Sequence, residues 1–457
     1  MLSMNSSISK NNVYNIDIES VTGKGFGVGH INGFTVFVDG ALPGDALKIY
    51  IVKAKTRYGY GKIVEILRPS PYRIQSLCPV FDRCGGCQWQ NCDYKAQLDF
   101  KRQIVIDALE RIGGIQNPPV KDTLGMLRPA SYRNKAVFPV VPANNEHGFA
   151  IGMFSARSHR IVEIDNCGIQ HPAHVAVLKI VKKFMRRNKI EPYNELTHTG
   201  LLRYIMVRTS LATNEIMVVL TVNGNGLPLE VRLVEDLTAA GVTTVVISRN
   251  TSRNNLVLGD HFRVASGSGF ITERIGHVKY QISAPSFFQV NPVQTKTLYE
   301  IAAKQANVRG KVVLDAHVGA GGVALYVAKH AKRVLGVDIV HAAVDDGAKN
   351  AELNGVANMQ FICGAAEEVI PPMLADAGQE PPEVIFLDPP RKGCELALLD
   401  ALVCVSVPRI VYISCDPATF ARDVKVLVAG GYRLSDVQPV DMFPHTGKVE
   451  VSALLER

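Results

Sequence analysis

The segment Ile413-Ser414-Cys415-Asp416-Pro417 puts a thiol where an apolar stretch ends and a Pro-initiated helix begins. A helix N-terminus favours thiolate, which makes Cys415 a candidate nucleophile, with a buried inert thiol as the plainer alternative. Leu387-Asp388-Pro389-Pro390-Arg391-Lys392-Gly393 ends another apolar strand with a carboxylate and a rigid turn. That pattern suits a planar base held beside a methyl donor, although a simple turn would also use it. The Gly-rich loop Leu314-Asp315-Ala316-His317-Val318-Gly319-Ala320-Gly321-Gly322 lets backbone approach a nucleotide-like ligand, and Asp338, ending the next strand, can take ribose hydroxyls. NAD, flavin and S-adenosylmethionine enzymes share such loops; Asp388 and Cys415 point to the last. Uracil C5 is a poor nucleophile until a thiolate adds to C6 and makes C5 enolate-like. A base must then remove the C5 proton so that the thiolate can leave. Glu450 is the candidate base, with Asp416 as the alternative.

A second group of thiols lies far upstream. Cys78, Cys84 and Cys87 fall within ten residues and Cys92 follows closely. Disulfides are disfavoured in a cytoplasmic chain, so a metal reading leads. The spacing is not that of a two-knuckle zinc site and suits an iron–sulfur cluster, with zinc and free thiols as alternatives.

The elements that must position these groups follow from composition and pattern. At 457 residues, two or three domains are expected, and 47% hydrophobic with 20% charged residues is an ordinary globular balance. No apolar run is long enough to span a bilayer, and the first fifteen residues lack the apolar core of a secretory signal. A cytoplasmic protein without a membrane partner is expected, and a monomer is the default. From Lys48 to Arg73 seven Lys or Arg stand against Glu65, with Tyr50, Tyr58 and Tyr60 among them; Lys179 to Lys189 is a second basic run. Basic strips with interleaved aromatics fit RNA, and a solvated face is the alternative. Residues 10–68 read as a small Gly-rich β-barrel of the OB type. Residues 69–289 read as an α+β middle domain carrying the cysteine loop. It includes a helix with Leu98, Val105, Ala108, Leu109 and Ile112 on one face. From 290 to 457, β and α alternate as in a doubly wound, Rossmann-like parallel sheet, so the overall class is α/β.

These motifs carry a resemblance. Residues 23–45, GKGFGVGHINGFTVFVDGALPGD, resemble a TRAM domain, an OB-like RNA-binding module. SFFQVN (286–291), LDPPRKG (387–393), SCDPATFARD (414–423) and DMFPHTGKVE (441–450) resemble the RNA uracil-5-methyltransferase family, in its iron–sulfur and TRAM-containing branch. The resemblance covers nearly the whole chain. It implies a class I methyltransferase sheet that transfers methyl from S-adenosylmethionine to a uridine C5, with Cys415 as nucleophile and Glu450 as base. It implies Gln289, His317, Asp338 and Asp388 around the donor, and a 4Fe-4S cluster on Cys78, Cys84, Cys87 and Cys167, with Cys92 spare. The partner it implies is RNA, ribosomal before transfer. Phe287 and Phe288 are placed to stack on the extruded target base, which must leave its helix to react. The donor loop departs from the family pattern: His317 replaces an aromatic, Val318 a cysteine and Gly322 a polar residue. That departure motivates one rival, an RNA-binding paralogue that has lost catalysis.

Overall fold

The structure is a computed structural model that describes residues 8–376, 378 and 380–457; residues 1–7 of the polar N-terminal stretch lie outside the described residues. The N-terminal sheet comprises β1 (Val13–Asp17), β2 (Ser20–Val21), β3 (Gly27–Ile31), β4 (Phe34–Val38), β5 (Ala46–Ala54) and β6 (Tyr58–Arg68), ordered β1-β5-β6-β4-β3-β2. Alternation along β4 turns Val36 and Val38 into a core with Leu47, Ile49 and Ile51, so Phe37 stands on the outer face.

After the cysteine loop comes α1 (Tyr94–Arg111), capped by the Asp93 carboxylate. Then follow β7 (Lys135–Pro142), β8 (Phe149–Phe154), β9 (Ile161–Glu163), α2 (Pro172–Asn188), β10 (Leu202–Thr209), β11 (Ile216–Val222), α3 (Glu230–Ala239), β12 (Thr244–Arg249) and β13 (His261–Ser266). Their strands form one sheet, β13-β12-β11-β10-β7-β8-β9, whose core with α2 and α3 includes Phe138, Val181, Leu220 and Leu237. The hairpin β14 (Phe270–Ile275) and β15 (Val278–Ser283) leads into the last third.

That third contains α4 (Pro292–Ala306), β16 (Val312–Asp315), α5 (Gly322–Ala328), β17 (Arg333–Asp338), α6 (His341–Leu353), β18 (Met359–Cys363), α7 (Ala366–Ala375), β19 (Val384–Leu387), α8 (Leu396–Val405), β20 (Arg409–Ser414), α9 (Pro417–Ala429), β21 (Arg433–Val440) and β22 (Glu450–Glu456). The strand order is β18-β17-β16-β19-β20-β22-β21. The first five strands run parallel and β22 inserts antiparallel between β20 and β21. The switch point falls between β16 and β19, the place where such sheets bind ligands.

Two elements from the stretch 69–289 pack with this C-terminal sheet. Val105, Ala108 and Leu109 of α1 share a core with Phe420 and Val437, and Ile271, Tyr280 and Ile282 of the hairpin share one with Leu298 and Val313. The apolar face expected for α1 is also shifted: Ile112 is 42% exposed, whereas Gln97 and Lys101 are fully buried. Lys101 is paired with Asp441, and its ammonium also donates to the Phe443 carbonyl at 3.1 Å. An apolar-periodicity argument cannot see a buried cation, because only its distant partner makes that burial tolerable. Removing either partner would leave an uncompensated charge costing about 3–5 kcal/mol.

Candidate active site

The site is assembled where β19, β20 and β22 end. In the antiparallel pair β20 and β22, Ser414 lies opposite Val451. Cys415 follows the last residue of β20 and Glu450 is the first of β22, so the pairing ends where the two are brought together, and Glu450 acts on the Cys415 thiol. β19 runs beside β20 with Leu387 level with Tyr412, so Asp388 leaves the sheet next to the strand that delivers Cys415. Three motifs distant in sequence thus converge through strand pairing alone.

Electrostatics ties them together. Burial pushes the Cys415 thiol up to about 11, with Glu450 and then Asp388 adding to the rise, while the Arg391 guanidinium, hydrogen-bonded to it, pulls it down. The helix end does not make this thiol acidic, because burial beside two carboxylates outweighs a half-charge dipole. Glu450, 2% exposed, is held well above the ordinary carboxylate range by burial and then by Asp388, against the pull of Arg391. Burial raises Asp388 to about 7. Asp416, the alternative base, is engaged otherwise: its carboxylate caps α9, accepting from the Ala418 and Thr419 amides at 3.0 and 3.4 Å.

The loop carrying Glu450 is fixed from outside the sheet. The Tyr94 hydroxyl donates to Asp441 at 2.9 Å, Asn291 donates to the Met442 carbonyl at 3.1 Å, and the Gln88 and Trp89 amides both donate to the His445 carbonyl at 3.0 Å. At Gly447 the backbone of the β2–β3 turn comes so close that a Cβ would lie 2.7 Å from the Gly25 amide nitrogen. The cysteine loop, the N-terminal sheet and α1 therefore all brace the segment that delivers Glu450.

The donor loop lies at the switch point. Gly319 and Gly321 take left-handed φ values of 53° and 107°, and Asp338 accepts from the Gly319 amide at 2.9 Å. Burial raises Asp315 to about 8 against the pull of the His317 amide, and Asp388 and Asp338 add to the rise. Burial lowers His317 to about 4, and its Nδ1 is buried without a hydrogen-bond partner. A Gly-lined cradle, strand-end carboxylates and an orphaned ring nitrogen fit a nucleoside-bearing methyl donor, with His317 standing where the aromatic of the family pattern would. Gln289 lies in the linker before α4, its backbone carbonyl accepting from Asn134 at 3.1 Å. Of the two phenylalanines beside it, Phe288 is 8% exposed and packs on Tyr280, which leaves only Phe287, 71% exposed, free to meet a base.

Two site residues escaped the sequence reading. Arg391 was visible inside the Asp-Pro-Pro-Arg turn but had no assigned role. Tyr299, on α4, is raised by burial and then by Asp388, Asp315 and Glu450, which places it between donor loop and base. Nothing local in the sequence signals it.

Cys78, Cys84, Cys87 and Cys167 line one cavity of about 250 Å³, together with Arg133 and Lys135. Burial raises Cys87 to about 12, with Cys167, Cys84 and Cys78 adding to the rise and a hydrogen bond from Gln90 opposing it. As placed, no group of three or more His, Cys, Asp or Glu among the described residues is arranged to hold a metal ion. Cys92 lies apart, buried with Leu42, Trp89 and Ala96.

On the outer surface, Lys53, Lys55 and Arg57 are exposed, as are Lys179, Lys183, Arg186, Arg187 and Lys189 on and just after α2. Among the described residues no helix is long and apolar enough to cross a membrane.

Comparison with known proteins matches residues 93–457 to the family described as tRNA (Uracil-5-)-methyltransferase and residues 10–64 to the TRAM domain. An RNA methyltransferase of Halalkalibacterium halodurans is 45% identical over 452 residues, 98% of each chain. One of Clostridium tetani is 42% identical over 452 residues, 98% of this chain and 97% of that protein. The crystal structure of Pyrococcus abyssi tRNA (uracil-54, C5)-methyltransferase in complex with S-adenosyl-L-homocysteine superposes with a TM-score of 0.77 at 28% identity, over 96% of this chain and 99% of that one.

Proposed function

The chain belongs to the tRNA (uracil-5-)-methyltransferase family, S-adenosylmethionine-dependent enzymes acting on RNA, and from that premise we propose that it methylates C5 of a uridine through a covalent Cys415–C6 adduct. The observation that carries this reading is that Glu450, at the start of β22, and Asp388, just past β19, both act on the Cys415 thiol just past β20. In this reading the Cys415 thiolate adds to C6, and the electron pair of the C5–C6 bond becomes available at C5. S-adenosylmethionine, when bound at Gln289, His317, Asp338 and Asp388, supplies the methyl group. Glu450 then takes the C5 proton, the C5–C6 double bond reforms and the thiolate leaves. Arg391 stabilises the thiolate before addition and after elimination.

We place residues 10–68 as the RNA-binding module, 69–289 as the segment that braces and orients, and 290–457 as the methyl-transfer domain, working as a cytoplasmic monomer. Ribosomal RNA is the first target reading, from the resemblance of the cysteine loop and TRAM-like sheet. Transfer RNA is the second, favoured by the Pyrococcus enzyme, whose match spans the TRAM-like sheet as well. Mapping 5-methyluridine in both RNA classes from a strain lacking this gene tests the choice: the missing modification identifies the target, and an unchanged map refutes the activity. Calorimetry addresses the rival that has lost catalysis, which requires no donor binding at millimolar S-adenosylmethionine.

The four cysteines of the 250 Å³ cavity are proposed to hold a 4Fe-4S cluster, with Arg133 and Lys135 offsetting the thiolate charge. Its role in this reading is structural, with the loop's Gln88 and Trp89 amides holding His445, or it assists RNA binding. Protein purified without oxygen is expected to be brown and to carry close to four irons per chain. Cys87→Ala should lose the iron and Cys92→Ala should keep it; stoichiometric zinc would refute the cluster.

Replacing Lys53, Lys55 and Arg57 together should weaken RNA binding. Each lost phosphate contact flattens the slope of log K against log salt by about 0.7–0.9. An unchanged slope would make this strip a solvated face.

A further inference from the structure

We propose that the cavity of about 360 Å³ between the N-terminal sheet and the methyltransferase core binds the nucleobase that flanks the target uridine, stacked on Phe37 and Tyr60 with Lys24 and Lys448 at its phosphates. This deepens, and rests on, the uridine reading. The argument begins with strand alternation. Val36, Val38, Gly59 and Gly61 point into the barrel core, so Phe37, Tyr58 and Tyr60 must point outward. Phe37 lies across from Tyr60 in the pairing of β4 with β6, their ring centroids 5.6 Å apart, and Phe26 and Tyr58 each lie 5.8 Å from Tyr60. Four half-buried rings on the outside of a barrel add nothing to its core. They provide a sequence-tolerant stacking face.

The position of this face selects the occupant. Cys415 lines the same cavity, with Pro417 and Ala418 of α9 and Val449. Of the reacting groups only Cys415 lines it; Asp388 and Glu450 do not. A nucleotide covalently joined to the uridine on Cys415 cannot be far from the thiol, and this is the adjoining space with π-faces and cations. Tyr60 sits on β6 between the basic strip and the nucleophile, and its cross-strand partner on β5 is Lys53. The strip and the site are therefore joined through this face, which gives one continuous path for an RNA strand.

A stem-loop RNA with an all-uridine loop, in which one loop residue at a time is replaced by the fluorescent base 2-aminopurine, tests the assignment. Bound to wild-type protein with S-adenosylhomocysteine, one position next to the target should be quenched by stacking. Phe37→Ala with Tyr60→Ala should abolish the quench and weaken binding about ten-fold or more, whereas Phe37→Tyr with Tyr60→Phe should restore both. These side chains face outward, and circular dichroism of each variant confirms that the sheet is intact. Quenching that survives the double alanine variant, or no quenched position at all, would overturn the subsite. So would quenching at the residue that is itself methylated, which would put the target base on the rings. Tritium transfer from S-adenosylmethionine to total cellular RNA by the wild type, measured in parallel, reports on the uridine reading alone.

Discussion

Cys415→Ala is expected to lose methyl transfer by on the order of 10⁴-fold or more and to form no denaturation-resistant complex with RNA. The reason is chemical: without addition at C6 there is no nucleophilic C5, and no neighbouring side chain among the described residues replaces the thiol. S-adenosylmethionine binding should be unchanged, since the donor loop lies at the end of β16 on the far side of β19. The pH dependence carries a sign. With the thiol raised to about 11 in the free protein, the neutral thiol is the dominant form at pH 7. Adduct formation with RNA bearing 5-fluorouridine, followed by gel shift under denaturing conditions, should therefore accelerate as pH rises through the neutral range. Arg391→Met removes the cation that pulls the thiol down and should displace that profile to higher pH. A 5-fluorouridine adduct that persists in Cys415→Ala would remove this residue from the mechanism.

Glu450→Gln is expected to separate two steps that Cys415→Ala removes together. The amide keeps the shape of the buried side chain but cannot take the C5 proton. Addition and methyl transfer should proceed once, and the enzyme should then stall as a methylated covalent adduct, visible as a stable protein–RNA band that carries tritium from the donor. Turnover should fall by about 10²–10⁴-fold, the usual worth of a positioned base. The wild type trapped on 5-fluorouridine should give the same band, since fluorine cannot leave as a proton. Asp416→Asn provides the contrast. That carboxylate caps α9, and an asparagine side-chain oxygen caps a helix about as well, so the variant should keep its stability and continue to turn over. Normal turnover by Glu450→Gln, or stalling in Asp416→Asn, would reassign the base.

What the sequence determined by itself was the local chemistry and the local elements. The rhythm after residue 290 specified the parallel strands because β-branched runs and helical periods are short-range signals. Cys415, Asp388, Asp338 and the Gly-rich loop were legible because each ends a strand, where side chains of an α/β sheet meet ligands. Even the alternation in β4, with Val36 and Val38 inward, follows from the pleat. The tertiary structure alone decided the relations. Glu450 is 35 residues from Cys415 in the chain, and only the insertion of β22 between β20 and β21 brings them together. Lys101 is a fully buried cation whose partner, Asp441, comes from the far end of the chain. The stretch Asp441 to His445 carried part of the resemblance but no role for its own side chains, yet its carboxylate and carbonyls anchor the base loop to α1, α4 and the cysteine loop. The Cys415 thiol shows the same division. The helix end that follows it in sequence favours the thiolate, whereas the carboxylates folded beside it and the loss of water push the opposite way and prevail. Burial and long-range charge depend on which surfaces meet, and no window of sequence contains both sides of that contact.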